Sequence, residues 1–97
     1  MADFILLMHG DGGAESGADW GRYLEGLRAT GQFSGGSAVA DGACFRRTGA
    51  PAPMSSQLTG YLRVEADTLE AARAFLHGNP AYEAGATVEI RELPRDG

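Results

Sequence analysis

The sequence predicts an α+β domain of the ferredoxin-like, split βαβ type, with one extra hairpin strand. Three observations lead to this fold class. Apolar strand-like runs lie near both ends of the chain, two segments with helical spacing alternate with strands, and glycine- and proline-rich sequence separates the middle strands. The predicted order is β-α-β-(β)-β-α-β, with both helices on one face of an antiparallel sheet.

The first half of the chain predicts two strands around one helix. Residues 3–9, DFILLMH, are apolar on both faces, as in a strand in the middle of a sheet. After a glycine-rich acidic loop, helical spacing links Trp20, Tyr23, Leu24 and Leu27. Ser16 or Asp19 can cap this helix, and Gly31 can end it. A second strand is predicted at residues 32–42.

The middle of the chain predicts a short strand, a loop and a well-defined strand. Cys44–Arg47 is predicted to form a short strand of a hairpin, followed by a proline-containing loop to residue 56. Residues 57–66, QLTGYLRVEA, alternate between apolar and polar positions, which is typical of a half-buried strand. Cys44 has no partner nearby in sequence that would activate its thiol, so we expect a buried apolar side chain.

The second half predicts a helix and a closing strand. Asp67 and Glu70 form a capping-box pattern, and Gly78 is suited to a left-handed helix end. The expected buried residues of this helix are Leu69, Ala72, Phe75 and Leu76. Residues 81–85, AYEAG, are expected to form a tight turn into a strand at residues 86–94.

Composition limits the possible classes of protein. With 97 residues we expect a single domain, residues 1–97, of which 94–97 form a frayed tail. A net charge of −5 argues against nucleic-acid binding, because phosphate contact needs a basic surface. Lysine is absent, which excludes Schiff-base chemistry on a lysine side chain.

Other features of the composition bear on location and cofactors. The longest apolar run, residues 4–8, is far shorter than the roughly 20 residues of a membrane-spanning helix, so no membrane association is expected. One cysteine allows no internal disulfide, which favours the reducing cytoplasm. Two histidines and one cysteine at distant positions do not form a recognisable metal set, and no cofactor is expected.

The triplet His9-Gly10-Asp11 has the most reactive combination of side chains. A histidine with a carboxylate two residues away could act as a general acid or base where the first strand ends. The alternative is a strand-end histidine bonded to the backbone or to Asp11. Candidate ligand-binding residues are Ser34, Gly36, Arg46, Tyr61, Arg63, Tyr82 and Glu83. The arginines could bind the carboxylate of a small anionic metabolite, or form ordinary surface ion pairs.

The sheet face opposite the helices carries a mixture of apolar and charged residues. Candidate occupants are Phe33 or Val39, Tyr61, Leu93, Arg63, Arg91, Thr59 and Glu89. This mixture is too apolar for a purely solvated face and too charged for a dry core. We therefore predict a homodimer whose sheets face each other, since symmetric dimers are the commonest assemblies.

Three segments carry a resemblance to a known family. FILLMHGD at the start, FSGGSAV after the first helix, and LTGYLRVEADTLEAARAFLHGNPAYEAGATVEIRELP resemble the YCII-related proteins, including the branch named after its DGPF signature. The resemblance implies a dimeric α/β barrel with ferredoxin-like subunits. The DGPF segment itself is missing, since Asp41-Gly42 is followed by Ala43 and Cys44.

The same resemblance bears on catalysis. Some relatives carry a histidine on the first helix that is suspected of acting with an aspartate after the second strand. Here Asp19 and Trp20 lie in that part of the helix, and Asp41 matches the aspartate. Two functions follow. The first is a homodimeric binding or regulatory module for a small molecule. The alternative is a cofactor-independent isomerase- or hydrolase-like enzyme that transfers protons on a small organic acid or lactone, with His9 and Asp11 or Asp41.

Overall fold

The computed structural model describes residues 1–54 and 57–95. Its elements, in chain order, are β1 (Ala2–His9), α1 (Gly17–Ala29), β2 (Phe33–Ala38), β3 (Leu58–Ala66), α2 (Leu69–Arg73) with a 3₁₀ turn (Ala74–Leu76), α3 (Pro80–Glu83) and β4 (Val88–Leu93).

The four strands form one sheet in the order β2-β3-β1-β4, and every neighbouring pair is antiparallel. Strand β3 lies between β1 and β2, and β1 lies between β3 and β4. Each β-α-β unit is thus split by a strand of the other. The predicted combination of an antiparallel sheet with few helices is confirmed.

The core lies between one sheet face and the helices. Alternate residues of β1 and β3 are buried there with residues of all the helical segments: Phe4, Leu6, Met8, Leu27, Leu62, Val64, Ala66, Ala72, Leu76 and Ala81. Tyr23 of α1 donates a hydrogen bond to the Phe75 carbonyl at 2.6 Å, which ties α1 to the 3₁₀ turn. Burial raises the pKa of Tyr23. Within the described residues, no helix or strand covers the other face of the sheet, which we call the uncovered face.

Helix α1 begins and ends where local sequence chemistry predicts. The Ser16 hydroxyl accepts hydrogen bonds from the backbone of Ala18 at 3.2 Å and Asp19 at 3.3 Å, so Ser16 is the N-cap. Gly31 follows with φ of 72°, and Gly78 ends the second helical segment with φ of 81°.

Two predicted strands differ from the structure in extent or existence. The predicted hairpin strand Cys44–Arg47 is wrong, because these residues are exposed and form no strand. The apolar run is short, and Gly49, Pro51 and Pro53, which disfavour a strand, follow it. Cys44 is exposed and not buried as expected. The second strand ends at Ala38, earlier than residue 42.

The segment after β3 also differs from the prediction. The N-cap of α2 is Thr68, whose hydroxyl accepts from Ala71 at 3.1 Å, and not Asp67. Leu69, expected in the core, is 54% exposed on the first turn of this short helix. The predicted turn at residues 81–85 is largely helix α3. Asn79, fully buried, caps it by accepting a hydrogen bond from the Tyr82 amide at 3.0 Å.

At the C-terminus the structure describes Pro94 and Arg95 of the predicted tail, whereas residues 96 and 97 lie outside the described residues. Arg95 donates two hydrogen bonds to the Asp3 carboxylate, at 2.7 and 2.9 Å. Ser55 and Ser56 of the predicted loop also lie outside the described residues. No helix in the described part of the chain has the length and apolar character that crossing a bilayer requires.

Candidate functional site

A cleft of about 570 Å³ lies between helix α1 and the β2 side of the sheet, and we call it the α1–β2 cleft. Its lining residues are Met8, Glu15, Trp20, Leu24, Arg28, Phe33, Gly35, Gly36, Ser37, Ala38, Thr59, Gly60, Tyr61 and Leu62. Ligand pockets in proteins commonly measure about 300–1,000 Å³. The cleft is therefore large enough for a single-ring organic molecule.

Two glycines shape the sheet wall of the cleft. A side chain at Gly36 would collide with the Tyr61 carbonyl and the Leu62 side chain, so this strand position has no room for one. At Gly60 an added Cβ would lie 3.1 Å from the Ser37 carbonyl oxygen and 3.3 Å from the Met8 methyl group. Glycine at both positions lets β2 and β3 pack closely here, so backbone forms part of the sheet wall.

Helix α1 supplies the opposite wall through residues four apart. Trp20, Leu24 and Arg28 lie on one stripe of the helix, because side chains at i and i+4 are neighbours. The indole Nε1 of Trp20 donates a hydrogen bond to the Glu15 carboxylate at 2.7 Å. The Trp20 and Tyr23 rings also form a T-shaped pair, with centroids 5.8 Å apart. Both contacts orient the indole.

Arg28 provides a positive charge at the cleft. Its guanidinium carbon lies 5.9 Å from the centroid of the Phe33 ring, within cation–π range. Among the described residues, no carboxylate lies within ion-pairing distance of Arg28. Glu15, the acid of the lining, already accepts the hydrogen bond from Trp20. The hydrogen bond leaves the negative charge of Glu15 in place, and Arg28 is the cationic group of the lining that an anionic ligand can meet.

His9 lies on the uncovered sheet face, on the opposite side of the sheet from the cleft. Its Nε2 is 3.2 Å from Oε1 of Glu89, and the other oxygen of Glu89 is 3.2 Å from Arg91. The two side chains come from neighbouring strands, β1 and β4, although 80 positions separate them in sequence. A base paired with a carboxylate can take up and return protons, provided that a substrate reaches it.

Asp11 has a different partner from the one expected for it. Its carboxylate accepts hydrogen bonds from the Thr87 backbone and the Thr87 hydroxyl, both at 2.7 Å. These bonds lower the pKa of the Asp11 carboxyl below its ordinary value. The bond from the Thr87 hydroxyl has the larger effect and the bond from the Thr87 backbone the next largest. Asp11 thus fastens the loop after β1 to the start of β4, and Glu89 is the carboxylate that the structure brings to His9.

The remaining predicted site residues lie in four separate places. Gly36 lines the cleft, and Tyr61 borders it from β3 at a position paired with Leu7 of the uncovered face. Ser34 is exposed at the irregularity in β2. Arg63 is exposed and pairs with Ile5, on the uncovered face. Asp41 and Arg46 belong to the exposed segment between β2 and β3, and Tyr82 and Glu83 lie on α3. The structure does not bring these residues together into one site.

Sequence reasoning missed the helix wall of the cleft. Trp20 and Leu24 were expected on one helical face, with Trp20 in the part of the helix where some relatives carry a histidine, and Arg28 was not singled out. The signal was present, because Arg28 continues the stripe of Trp20 and Leu24 at the next four-residue step. A charged residue on an otherwise apolar helical stripe indicates that this end of the stripe faces a solvent-accessible cleft or surface and not the hydrophobic core.

A second groove, of about 710 Å³, lies between α1 and the α2–α3 segment. It is larger but more open to solvent than the α1–β2 cleft. The Tyr23 hydroxyl already bonds the Phe75 carbonyl across it, and Arg22 is paired with Asp19. No group of three or more metal-ligating side chains converges within the described residues. We therefore take the α1–β2 cleft as the candidate site.

Fold and cleft together define a small α+β protein with a ligand-sized cavity between its first helix and its sheet. The family model of the YCII-related domain matches residues 6–94. The chain therefore belongs to the YCII-related domain family. No curated protein sequence matches it.

One solved structure with a similar fold is that of 5-chloro-2-hydroxyhydroquinone dehydrochlorinase from Burkholderia phenoliruptrix, in complex with 2,5-dihydroxybenzoquinone. The superposition has a TM-score of 0.55 and covers 97% of this chain and 95% of that one, with 16% sequence identity. At this level of identity the likeness shows a shared fold.

Proposed function

We propose that this YCII-family protein is a homodimeric binding or regulatory module whose α1–β2 cleft binds a small, planar, anionic organic molecule. The observation that carries the proposal is the position of Arg28, without an acidic partner among the described residues, at a cleft that Trp20 and Phe33 also line. Aromatic and apolar walls favour a flat ring, and a free guanidinium favours a carboxylate or an ionised hydroxyl on it.

The structural neighbour supports the same class of ligand. It was solved with 2,5-dihydroxybenzoquinone, a flat ring with acidic hydroxyl groups. A ligand of this size fits a cavity of about 570 Å³. The narrower assignment to the DGPF-related branch remains a prediction, because Asp41-Gly42 continues as Ala43-Cys44 in this chain.

The test is a titration with matched charged and neutral rings: 2,5-dihydroxybenzoquinone, benzoate and neutral benzamide. Trp20 is the chain's only tryptophan, so its fluorescence reports benzoate binding directly, and calorimetry measures all three compounds. We expect the anions to bind and benzamide to bind much more weakly.

The matched variants are Arg28→Gln and Arg22→Gln, which remove the same charge from the same helix. A charge-assisted contact contributes about 1.5–3 kcal/mol, so Arg28→Gln should weaken anion binding by about 10- to 100-fold. Arg22 is paired with Asp19 and serves as the control. Equal binding by both variants, or equal binding of benzamide, would contradict the proposal.

The proposed homodimer would use the uncovered sheet face, as in a dimeric α/β barrel. Alternation along β1 points Ile5 and Leu7 to this face, where both are only partly exposed. Arg63, Arg91 and Glu89 flank them on the neighbouring strands. An apolar centre with a charged rim is the usual composition of an interface.

A second candidate function is a cofactor-independent enzyme, favoured by the His9–Glu89 pair at 3.2 Å. His9 would remove a proton from a carbon of a small organic acid or lactone and return it at another position. Glu89 would orient the His9 imidazole. Because the pair lies on the uncovered face, this function needs the second subunit to enclose the substrate.

Proton transfer can be tested without knowing the product. A substrate processed by His9 should acquire deuterium from heavy water, detected by mass spectrometry of candidate acids and lactones. His9→Asn should abolish the exchange, and His77→Asn, at the end of the second helical segment, should not. Exchange that survives His9→Asn would exclude His9 as the base.

A further inference from the structure

We infer that the segment between β2 and β3 closes over the α1–β2 cleft of its own chain and adds Phe45, Arg46 and Arg47 to the ligand site. We call residues 39–54, the described part of this segment, the arm. The inference rests on the proposed function, because the arm is taken to close on the planar anion bound in the cleft.

The arm starts and ends at the cleft. Ser37 and Ala38, which precede it, line the cleft, and so do Thr59 and Gly60 on the returning strand. A backbone hydrogen bond from Val39 to Thr59, at 2.9 Å, is the final link between β2 and β3. The two strand ends that carry the arm therefore both lie beside the cleft.

The arm is otherwise unattached in the part of the chain that the structure describes. No backbone hydrogen bond joins residues 40–54 to the rest of those residues. Arg46 donates to the Ala50 carbonyl at 3.3 Å, a contact inside the arm. The radius of gyration is 14.7 Å, whereas a compact chain of this length measures about 12.5 Å. Closure would therefore break few contacts and make the molecule more compact.

The arm's side chains have the chemistry that the ligand needs. Phe45 is 91% exposed, the most exposed of the large apolar side chains in the described residues, and Met54 is 51% exposed. Arg46 and Arg47 outnumber the single acid, Asp41, in a chain whose net charge is −5. A ligand with a flat ring and anionic oxygens at the edge of that ring could contact both groups: Phe45 would cover the ring, and the two arginines would pair with the oxygens.

The reach of the arm is sufficient. Phe45 is six residues beyond Val39, and an extended chain covers up to about 20 Å over that length. The cleft begins at the residues next to Val39, so Phe45 can reach its far wall on α1 without moving the sheet. Closure of Phe45 over the ring would place a third aromatic group beside Trp20 and Phe33.

The chain provides its own reporters for this motion. Cys44, the only cysteine, is exposed and adjacent to Phe45, and Trp20, the only tryptophan, lines the cleft. A bimane fluorophore on Cys44 is quenched by tryptophan at short range. Addition of benzoate or phthalate should quench the label in the wild-type sequence and leave it bright in Trp20→Phe.

Mixing experiments identify which chain the arm covers. Labelled Trp20→Phe protein is mixed with an excess of unlabelled wild type and titrated with benzoate. We expect the label to stay bright, because an arm that closes on its own chain meets no tryptophan in the labelled protein. Quenching in the mixture would mean that the arm covers a second copy, and this would overturn the inference.

Substitutions separate the roles of the aromatic and charged groups. Phe45→Ser should weaken benzoate binding by about three- to tenfold, whereas Leu69→Ser, which removes another exposed apolar side chain, should not. Arg46→Gln with Arg47→Gln should weaken phthalate, which carries two charges, more than benzoate.

The outcomes distinguish this inference from the proposed function. If calorimetry shows binding that depends on Arg28 but the Cys44 label is not quenched and Phe45→Ser binds normally, the arm inference is overturned and the binding function stands. If none of the anions binds the wild type, the binding function fails, and the arm inference fails with it.

Discussion

Gly12 and Gly21 have the same side chain, a hydrogen atom, for opposite reasons. An added Cβ at Gly12 would lie 2.6 Å from the Ala86 nitrogen, so the loop after β1 passes directly against the start of the last strand segment. At Gly21, inside α1, an added Cβ would meet no atom within 4 Å. The first glycine is required by packing, and the second only weakens its helix.

The two glycines predict opposite effects on stability. Gly12→Ala should lower the free energy of unfolding by about 1–3 kcal/mol, because the methyl group overpacks the contact with Ala86. Gly21→Ala should raise it by about 0.5–1 kcal/mol, through the better helix propensity of alanine. Urea unfolding followed by circular dichroism measures both. A neutral Gly12→Ala would show that the loop can move away from Ala86.

At the level of elements, residues 78–85, GNPAYEAG, connect the second helical segment to the last strand. They also contact the loop after β1. Asn79 caps α3, Pro80 opens it, and Gly85 ends it with φ of 93°. The Ala84 carbonyl then accepts a hydrogen bond from Gly13 at 2.8 Å. The short helix α3 thus fixes where the loop after β1 contacts the connection between α3 and β4.

Asp11 strengthens the same junction and predicts a pH dependence. Its folded pKa lies below the ordinary aspartate value of about 3.9, so its bonds to Thr87 stabilise the fold above that pH. This stability is lost as the pH falls through the lowered folded pKa. Asp11→Asn should therefore be less stable at pH 7 and lose less stability on acidification.

The measurement is urea unfolding of both proteins at a series of pH values from 7 to about 2.5. Asp41→Asn is the charge-matched control, because Asp41 lies in the arm and has no hydrogen-bond partner within the described residues. An acid response of Asp11→Asn equal to that of the wild type would show that the Thr87 bonds do not contribute.

At the scale of the whole molecule, the uncovered sheet face predicts self-association. Leu7→Asp would place a charge at the centre of that face, between Tyr61 and Glu89 on the neighbouring strands. We expect the wild type to sediment at twice the chain mass of 10.1 kDa, and Leu7→Asp to sediment as a monomer. Desolvating an unpaired charge costs enough to dissociate an interface of ordinary size.

The control for this prediction is Leu69→Asp, which introduces the same charge at an exposed position on α2. It should leave the assembly unchanged. A wild type that remains monomeric at high micromolar concentration would remove the proposed dimer, and with it the enclosed environment that the His9–Glu89 enzyme candidate needs.

Local chemistry made much of the fold predictable. Ser16 and Gly31 bound α1 as expected, and alternation in residues 57–66 located the central strand β3, because caps and periodicity depend on neighbours in sequence. The same rules failed at Cys44–Arg47, where the strand-like run is short and does not pair with the sheet.

The sequence by itself determined the order of the four strands and of the first two helical segments, the ends of the first helix and the family. Only the tertiary structure decided that His9 meets Glu89 and that Arg28 faces a cleft beside Phe33. These contacts depend on strand order and on how α1 lies on the sheet, and both are set by packing between segments distant in sequence. The spacing on α1 places Arg28 beside Trp20 and Leu24, but no local pattern identifies Phe33 or Glu89 as a partner, because the partners become neighbours only when the core forms.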